Sequence, residues 1–433
     1  MSQQKEQSTR RQFMGKSVVT GATAMAGFST LSKYGYGANY DNIKVGVVGV
    51  GGRGSGAIRD ILAMSEGVEV VALAEVNKEN LDARIKGLKE YRGEDRKPLK
   101  GFNVTPDRCY IGLDAYKKIC DDSDIDIVIL TTPPGFRPAQ YEYAINAGKH
   151  VFSEKPVGVD PVGIRRYMAA AKKAVGKGLG TLAGTQRRHQ PSYMEMMKRI
   201  QDGQIGDVIS AHVYWNGQGI WYRDRAPWMT TLDYWLYNWY HVDWMCGDHI
   251  VEQHLHNLDV GNWVMGSHPA KAYGMGGRQY WTERGGNIYD HFCAEIEYPD
   301  GRRITSMCRQ IPDTDGKVAE DIIGTKGRSE SSSGKCEIFG AKPWVASKAE
   351  SRKEYQLEHR NFIQSLRAGN PFNEGQQVAE STMTAVMCRE AAYTGKVITW
   401  DDMMTSDLDL MPKNLKTWNG ELRPLPKPGM KRA

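Results

Sequence analysis

The sequence holds no Cys-x-x-Cys pair, no Cys/His zinc spacing, no His-Glu-x-x-His and no internal repeat. These absences remove the common structural and catalytic zinc signatures and the solenoid architectures. Its seven cysteines are scattered and odd in number, so a disulfide framework is not expected, though one bond stays open in an oxidising compartment. Forty-seven glycines exceed ordinary usage but follow no period, which rules out a collagen-like or low-complexity chain. Charge of one sign is also scarce. Lys and Arg total 57 against 51 Asp and Glu, and net +4 of the resulting +6 falls within residues 1–38. The remainder offers neither nucleic acid nor an anionic membrane a reason to bind. What is left is 40% hydrophobic and 25% charged over 433 residues, the composition of a globular protein of two domains.

The first 38 residues read as an address. Ser8-Thr9-Arg10-Arg11-Gln12-Phe13-Met14 resembles the twin-arginine export signal, and the soft stretch Val18–Leu31 that follows is too short to span about 30 Å of hydrocarbon. No stable membrane insertion is expected. Ala24-Met25-Ala26 is the one Ala-x-Ala candidate for cleavage. Such a signal carries folded cargo, which suits a periplasmic protein that takes up its cofactor before export.

From residue 43 the chain alternates strand and helix. Ile43–Val50, Val68–Val76, Ile125–Thr132 and His150–Phe152 are apolar β-branched runs, and Ala57–Met64, Lys78–Tyr91, Asp114–Cys120, Ala139–Ala147 and Pro161–Val175 carry helical periodicity. That alternation predicts a parallel sheet covered on both faces. After about residue 180 the pattern changes to strands at Val208–Trp215, Ala270–Met275, Phe292–Tyr298, Arg303–Arg309 and Val318–Gly324, with a Pro299-Asp300-Gly301 turn between two of them. A mostly antiparallel sheet is expected there, closed by helices at Glu354–Leu366 and Gly375–Tyr393. The predicted division is a leader over 1–38, a dinucleotide-binding domain over 39–160, and a substrate-binding and oligomerisation domain over 161–433.

Gly49-Val50-Gly51-Gly52-Arg53-Gly54 is a G-x-G-x-x-G at the junction of strand and helix. Glycines there let the backbone approach a pyrophosphate seated on the helix N-terminus. Glu75 ends the next strand, where a carboxylate accepts from both ribose hydroxyls and repels a 2′-phosphate, so NAD is favoured over NADP. Thr132-Pro133 and Glu154-Lys155-Pro156 follow later strands, at the sheet edge where ligands collect. Lys155 there can donate to a substrate hydroxyl or take its proton; the plain alternative is a solvated lysine paired with Glu154. Asp248, Glu252, His256 and Asp259 are spaced to share one helix face, which would let Glu252 fix the tautomer of His256. Rival readings are a metal site and an ordinary polar face; the glycine loop makes a nucleotide the simpler cofactor, and no metal is expected.

Taken in order, these motifs resemble the Gfo/Idh/MocA oxidoreductase family over roughly residues 42–400. The glycine loop matches at Gly49, Gly51 and Gly54, the acid at Glu75, the Glu-Lys-Pro at residues 154–156, and the Asp-x-x-x-His pair at Glu252 and His256, with Glu in place of the usual Asp. Thr132-Pro133-Pro134 lacks the histidine that many members place after the turn. The resemblance implies an α/β fold: an N-terminal Rossmann dinucleotide-binding domain plus a C-terminal α/β domain with an open, mostly antiparallel sheet often used for oligomer contacts, here a homodimer or homotetramer.

Tyr214–Trp244 holds six of the eleven tryptophans. Such rings stack on the C–H faces of sugars, so Trp221, Tyr222, Arg223 and Trp239 are substrate-binding candidates, with an aromatic core or interface as the alternative. Arg188 and His189, within Gln186-Arg187-Arg188-His189, are candidates for the same cleft or for a plain surface turn. The reading is an NAD-dependent oxidoreductase moving a hydride between nicotinamide and a carbinol of a sugar, glycoside or polyol. Lys155, His256 and Glu252 carry the proton chemistry, and either Lys155 or His256 is the first base. Two alternatives stand beside it. One is a glycoside hydrolase that oxidises C3 transiently with NAD, eliminates and re-reduces; the other is a non-catalytic sugar-binding protein.

Overall fold

The computed structural model describes residues 41–429, apart from Asp95, Arg284, Glu350, Ser351, Lys416 and Thr417. The export motif at residues 8–14 lies outside the described residues.

The first layer set begins with β1 (Ile43–Val48), α1 (Gly52–Ala63), β2 (Val68–Glu75), α2 (Lys78–Glu90), β3 (Cys109–Ile111), α3 (Ala115–Asp121) and β4 (Ile127–Leu130). It continues through α4 (Arg137–Asn146), β5 (His150–Ser153), α5 (Pro161–Gly176) and β6 (Thr181–Ala183). All six strands run parallel in the order β3-β2-β1-β4-β5-β6. Their residues are apolar on both faces because helices cover both; Ile127–Leu130 is buried throughout. Sharp starts come from side-chain caps: Asn77 accepts from Asn80 N (2.7 Å) and Asp160 from Gly163 N (2.6 Å). The expected boundary at residue 160 falls one strand short, since α5 and β6 complete this sheet. The short β3, three residues long, leaves too little pattern for periodicity to register, whereas the strand expected at residues 182–185 forms as β6. Helix α1 begins at Gly52, five residues before the expected start, because its first turn is made of the motif glycines, which carry no apolar signal.

The second domain opens with α6 (Pro191–Gln201) and β7 (Val208–Gly217). Four helices follow: α7 (Thr231–Tyr237), α8 (Asp243–Cys246), α9 (His249–Glu252) and α10 (Leu255–Met265). The sheet is then built from β8 (Lys271–Gly277), β9 (His291–Glu297), β10 (Arg303–Gln310), β11 (Lys317–Gly324), β12 (Gly327–Ser332), β13 (Lys335–Gly340) and β14 (Trp344–Val345). Helices α11 (Glu354–Arg367) and α12 (Gly375–Thr394), strand β15 (Ile398–Thr399) and α13 (Trp400–Thr405) complete it. The nine strands lie in the order β14-β13-β12-β11-β7-β10-β9-β8-β15. Every neighbouring pair is antiparallel except β7 with β10. Helix α12 is buried along almost its whole length, and its Arg389 donates both to Val159 O (2.7 Å) and to Gly247 O (2.9 Å). That guanidinium ties the loop leaving β5, which carries Lys155, to the turn before α9, the helix that ends in Glu252. All seven cysteines are free thiols, five of them buried. Among the described residues no helix is long and apolar enough to cross a membrane.

Candidate active site

A cavity of about 820 Å³ opens at the carboxyl edge of the first sheet, between the glycine loop and the β7–α10 region. Gly49 adopts φ +83°, and a side chain there would press on Thr132 N at 2.9 Å. A Cβ on Gly51 or Gly52 would instead point into open space, the cradle a diphosphate fills. Gly54 does not line the cavity: its Cβ would stand 2.1 Å from Gly49 O, so its role is close packing of α1 on the loop. Glu75 lies at the wall, its carboxylate accepting from Val50 N (2.7 Å) and Val76 N (2.8 Å), which holds it where a ribose would sit. Thr132, Pro133, Glu154 and Lys155 line the same space, with Thr132 Oγ1 donating to Gln140 Oε1 at 2.6 Å. The Arg53 guanidinium is spent within the protein, on Asp60 (2.9 Å), Glu154 (2.7 Å) and the face of Tyr355 (4.7 Å).

Lys155, Glu252 and His256 come together as expected, but not by the expected route. Asp248, at φ +77°, begins a one-turn α9, and the chain breaks at Gln253–His254 before α10. The four spaced side chains therefore diverge instead of sharing a face. Asp248 accepts from His249 N, Tyr289 N and the Tyr393 hydroxyl. Asp259 takes Arg188 and Ser381. Glu252 pairs with Lys155 at 3.3 Å, while Lys155 Nζ also donates to the Glu252 carbonyl. Glu252 does not bond to His256, so the expectation that it sets the histidine tautomer is not met. The imidazole is oriented by stacking on Trp215, with centroids 5.8 Å apart and planes 24° apart.

The electrostatics follow from burial. Loss of solvent raises the Glu252 carboxyl against the pull of Lys155 and Arg137. It lowers His256 well below the ordinary histidine range, helped by the positive charges of Lys155 and Arg187. His256 is thus an uncharged imidazole facing the cavity beside an ammonium. Glu252 Oε2 is buried without a hydrogen-bond partner among the described residues.

Trp221, Arg223 and Trp239 line the far wall, and Tyr222 does not: its hydroxyl faces Tyr234 (2.5 Å) and Gly285 N (3.1 Å). Arg188 and His189 also lie away from the cavity. Arg188 pairs with Asp259 (2.8 Å) over Trp263, and His189 meets Glu374 (3.0 Å) and the edge of Phe372. Their clustering in sequence reflects packing between domains. Sequence reasoning does not find Arg137, Gln253, Gln310, Trp215 and Tyr240, which are wall residues. The last two stand in the aromatic-rich stretch; Gln253 lies beside the motif, and Arg137 and Gln310 have no signal.

The fold and cradle define a dinucleotide-binding protein. Residues 43–177 match the model of the oxidoreductase family's NAD-binding Rossmann fold, and residues 197–399 match its C-terminal alpha/beta domain. The chain belongs to the Gfo/Idh/MocA oxidoreductase family, and its cofactor is NAD. Among curated relatives, an inositol 2-dehydrogenase of Klebsiella pneumoniae is 32% identical over 168 residues, 38% of this chain and 43% of that protein. Another, of Salmonella typhimurium, is 29% identical over 170 residues, 39% and 45% of the two chains. The matched stretch spans under half the length of these relatives. Two solved structures share the fold: levoglucosan dehydrogenase with NADH and levoglucosan (TM-score 0.65, 16% identity), and the Caulobacter crescentus aldose-aldose oxidoreductase with glycerol (TM-score 0.64, 19% identity). Each alignment covers 83% of this chain and 99% of the other.

Proposed function

We propose that the protein oxidises a carbinol of a sugar or polyol, and the observation that carries this is Lys155 and an uncharged His256 on one cavity with the glycine cradle. When bound, NAD supplies the hydride acceptor. Lys155, positioned by Glu252, donates to the substrate hydroxyl oxygen and stabilises the negative charge that grows there as the C–H bond breaks. His256 accepts the hydroxyl proton at a ring nitrogen, leaving a carbonyl. Trp239 offers a flat face for a ring substrate. The names of the relatives, inositol and sugar dehydrogenases, support net oxidation over the glycoside hydrolase alternative.

The reading extends to place and assembly. Arg10-Arg11 directs export to the periplasm, and a dimer or tetramer forms through the outer face of the second sheet. There Met275 sits opposite Cys293, Cys293 opposite Met307, and Met307 opposite Tyr214, an apolar row with Met275 71% exposed. Fractionation of an Arg10→Lys, Arg11→Lys variant tests export; retention in the cytoplasm is expected. Purified protein with NAD and a panel of inositols, aldoses and anhydrosugars tests the activity. NADH accumulates with at least one of them. Aglycone release from a chromogenic glycoside without NADH would overturn the oxidoreductase reading.

A further inference from the structure

A dinucleotide brings two phosphate charges into the cavity, and most cations lining it are already committed. Arg53 is paired with Asp60 and Glu154, Lys155 with Glu252, and the buried Arg137 donates to Pro156 O at 2.6 Å. Three lining cations have no carboxylate partner among the described residues: Arg137, which is buried and spent on Pro156 O, Arg84 on the first domain, and Arg223 on the second. Arg223 is held in a built position. Its guanidinium carbon stands 5.1 Å from the Trp221 ring centre and 5.2 Å from that of Tyr237. Its backbone is fixed at both ends by the fully buried Asn238, which accepts from Arg223 N (2.9 Å) and donates to Arg223 O (3.0 Å).

The place of this shelf along the cavity decides what it serves. Arg223 and Tyr237 line the same cavity as Gly51, Gly52 and Glu75, the cradle of the first domain. The glycine cradle and Glu75 form the cofactor's side of this cavity, and Lys155 and His256 mark its reacting end. An arginine between two rings keeps its charge, loses little rotamer freedom on binding, and presents its N–H fork to a phosphate.

We propose that Arg223, shelved between Trp221 and Tyr237, is a cofactor-binding residue that closes over the diphosphate from the second domain, opposite the Gly49–Gly54 loop. The assignment rests on the dinucleotide site and not on the identity of the substrate; it moves Arg223 from the sugar to the cofactor. The same guanidinium chemistry would suit a phosphate or carboxylate on a substrate, and the test separates the two sources.

Calorimetric titration of the full chain with NAD, ADP-ribose and adenosine, without substrate, reads the clamp directly. Arg223→Met is expected to weaken NAD and ADP-ribose about tenfold or more, the effect of one lost charge-assisted hydrogen bond, and to leave adenosine unchanged. Arg223→Lys recovers part of the loss, and Tyr237→Leu, which removes one side of the shelf, weakens the same two ligands. The wild-type affinity for ADP-ribose falls more steeply with salt than that of Arg223→Met. Arg223 is exposed, so the melting temperature of Arg223→Met should stay that of the wild type. NAD and ADP-ribose bound by Arg223→Met as tightly as by wild type would overturn the clamp. If in that case KM for an anionic substrate alone rises, the residue serves the substrate, and the oxidoreductase reading stands untouched.

Discussion

Two polar clusters in this protein are built from the same kinds of residue, arginine or lysine against carboxylate with histidine nearby, and both are buried. One is Lys155, Glu252 and His256; the other is Arg187 and Glu320, with Arg188–Asp259 and His189–Glu374 beside it. In the second, Glu320 accepts from Arg187 (2.5 Å), Tyr193 (2.8 Å), Asn257 (2.6 Å) and Ser331 (2.6 Å), so the carboxylate is saturated. In the first, Glu252 keeps one oxygen without a partner among the described residues, and His256 shows its ring to a cavity. Hydrogen-bonding capacity left over next to open space, not charge or burial, separates a reactive cluster from a structural one.

That contrast can be broken from either side. Glu320→Gln strips a buried arginine of its counter-charge and should cost about 3–5 kcal/mol of stability, read by chemical denaturation, with KM and NAD affinity unchanged in the protein that folds. A variant with full stability and altered KM would reverse the assignment of the two clusters. Lys155→Met and His256→Ala should each slow single-turnover hydride transfer about 10²-fold or more while NAD affinity holds, since the cradle and Glu75 seat the cofactor. The double variant should be little worse than the worse single one if the groups act as a unit.

Proton linkage gives a third test. Burial lowers His150 to about 4 and His254 to about 3. The unfolded chain protonates both near 6.5, whereas the folded chain does not, so their contribution is complete above about 6.5 and is lost as pH falls toward 4. Denaturation at pH 7.5 and pH 5 should differ by about 2 kcal/mol per group; equal midpoints would contradict neutral burial. The smallest effect belongs to Arg188→Met. A partly exposed pair with Asp259 is worth under about 1 kcal/mol, and steady-state kinetics should not move; a raised KM would return Arg188 to the cleft.

Much of this architecture is legible in the amino-acid sequence. Parallel strands read clearly because burial on both faces makes them continuous apolar runs, and the cradle because its glycines sit at a strand–helix junction. Strand β12 escapes such a reading for a reason the second cluster supplies. Ser329 and Ser331 of β12 point inward, and Ser331 serves Glu320, so the apolar alternation that marks a strand is replaced by hydroxyls. The divergence of Asp248, Glu252, His256 and Asp259 is hidden likewise: spacing presumes one helix, and nothing local announces that Asp248 takes a left-handed conformation. Arg188 and His189 mislead because sequence shows a charge but not the carboxylate that will meet it from a distant helix.

The lone parallel pair in the second sheet, β7 with β10, has a consequence for how such a molecule can change. A strand cannot reach a parallel neighbour by a hairpin, so the chain must depart at Gly217 and return at Arg303. The opening part of that excursion, residues 218–265, carries Trp221, Trp239, Glu252 and His256. Its point of departure is fixed by a strand hydrogen-bonded on both sides, and α10 packs back on β7. The stretch therefore behaves as a drawer in a rigid cabinet. Its contents can be rewritten to take a different ring while the cabinet, with the glycine cradle and Glu75 in its opposite wall, keeps its register.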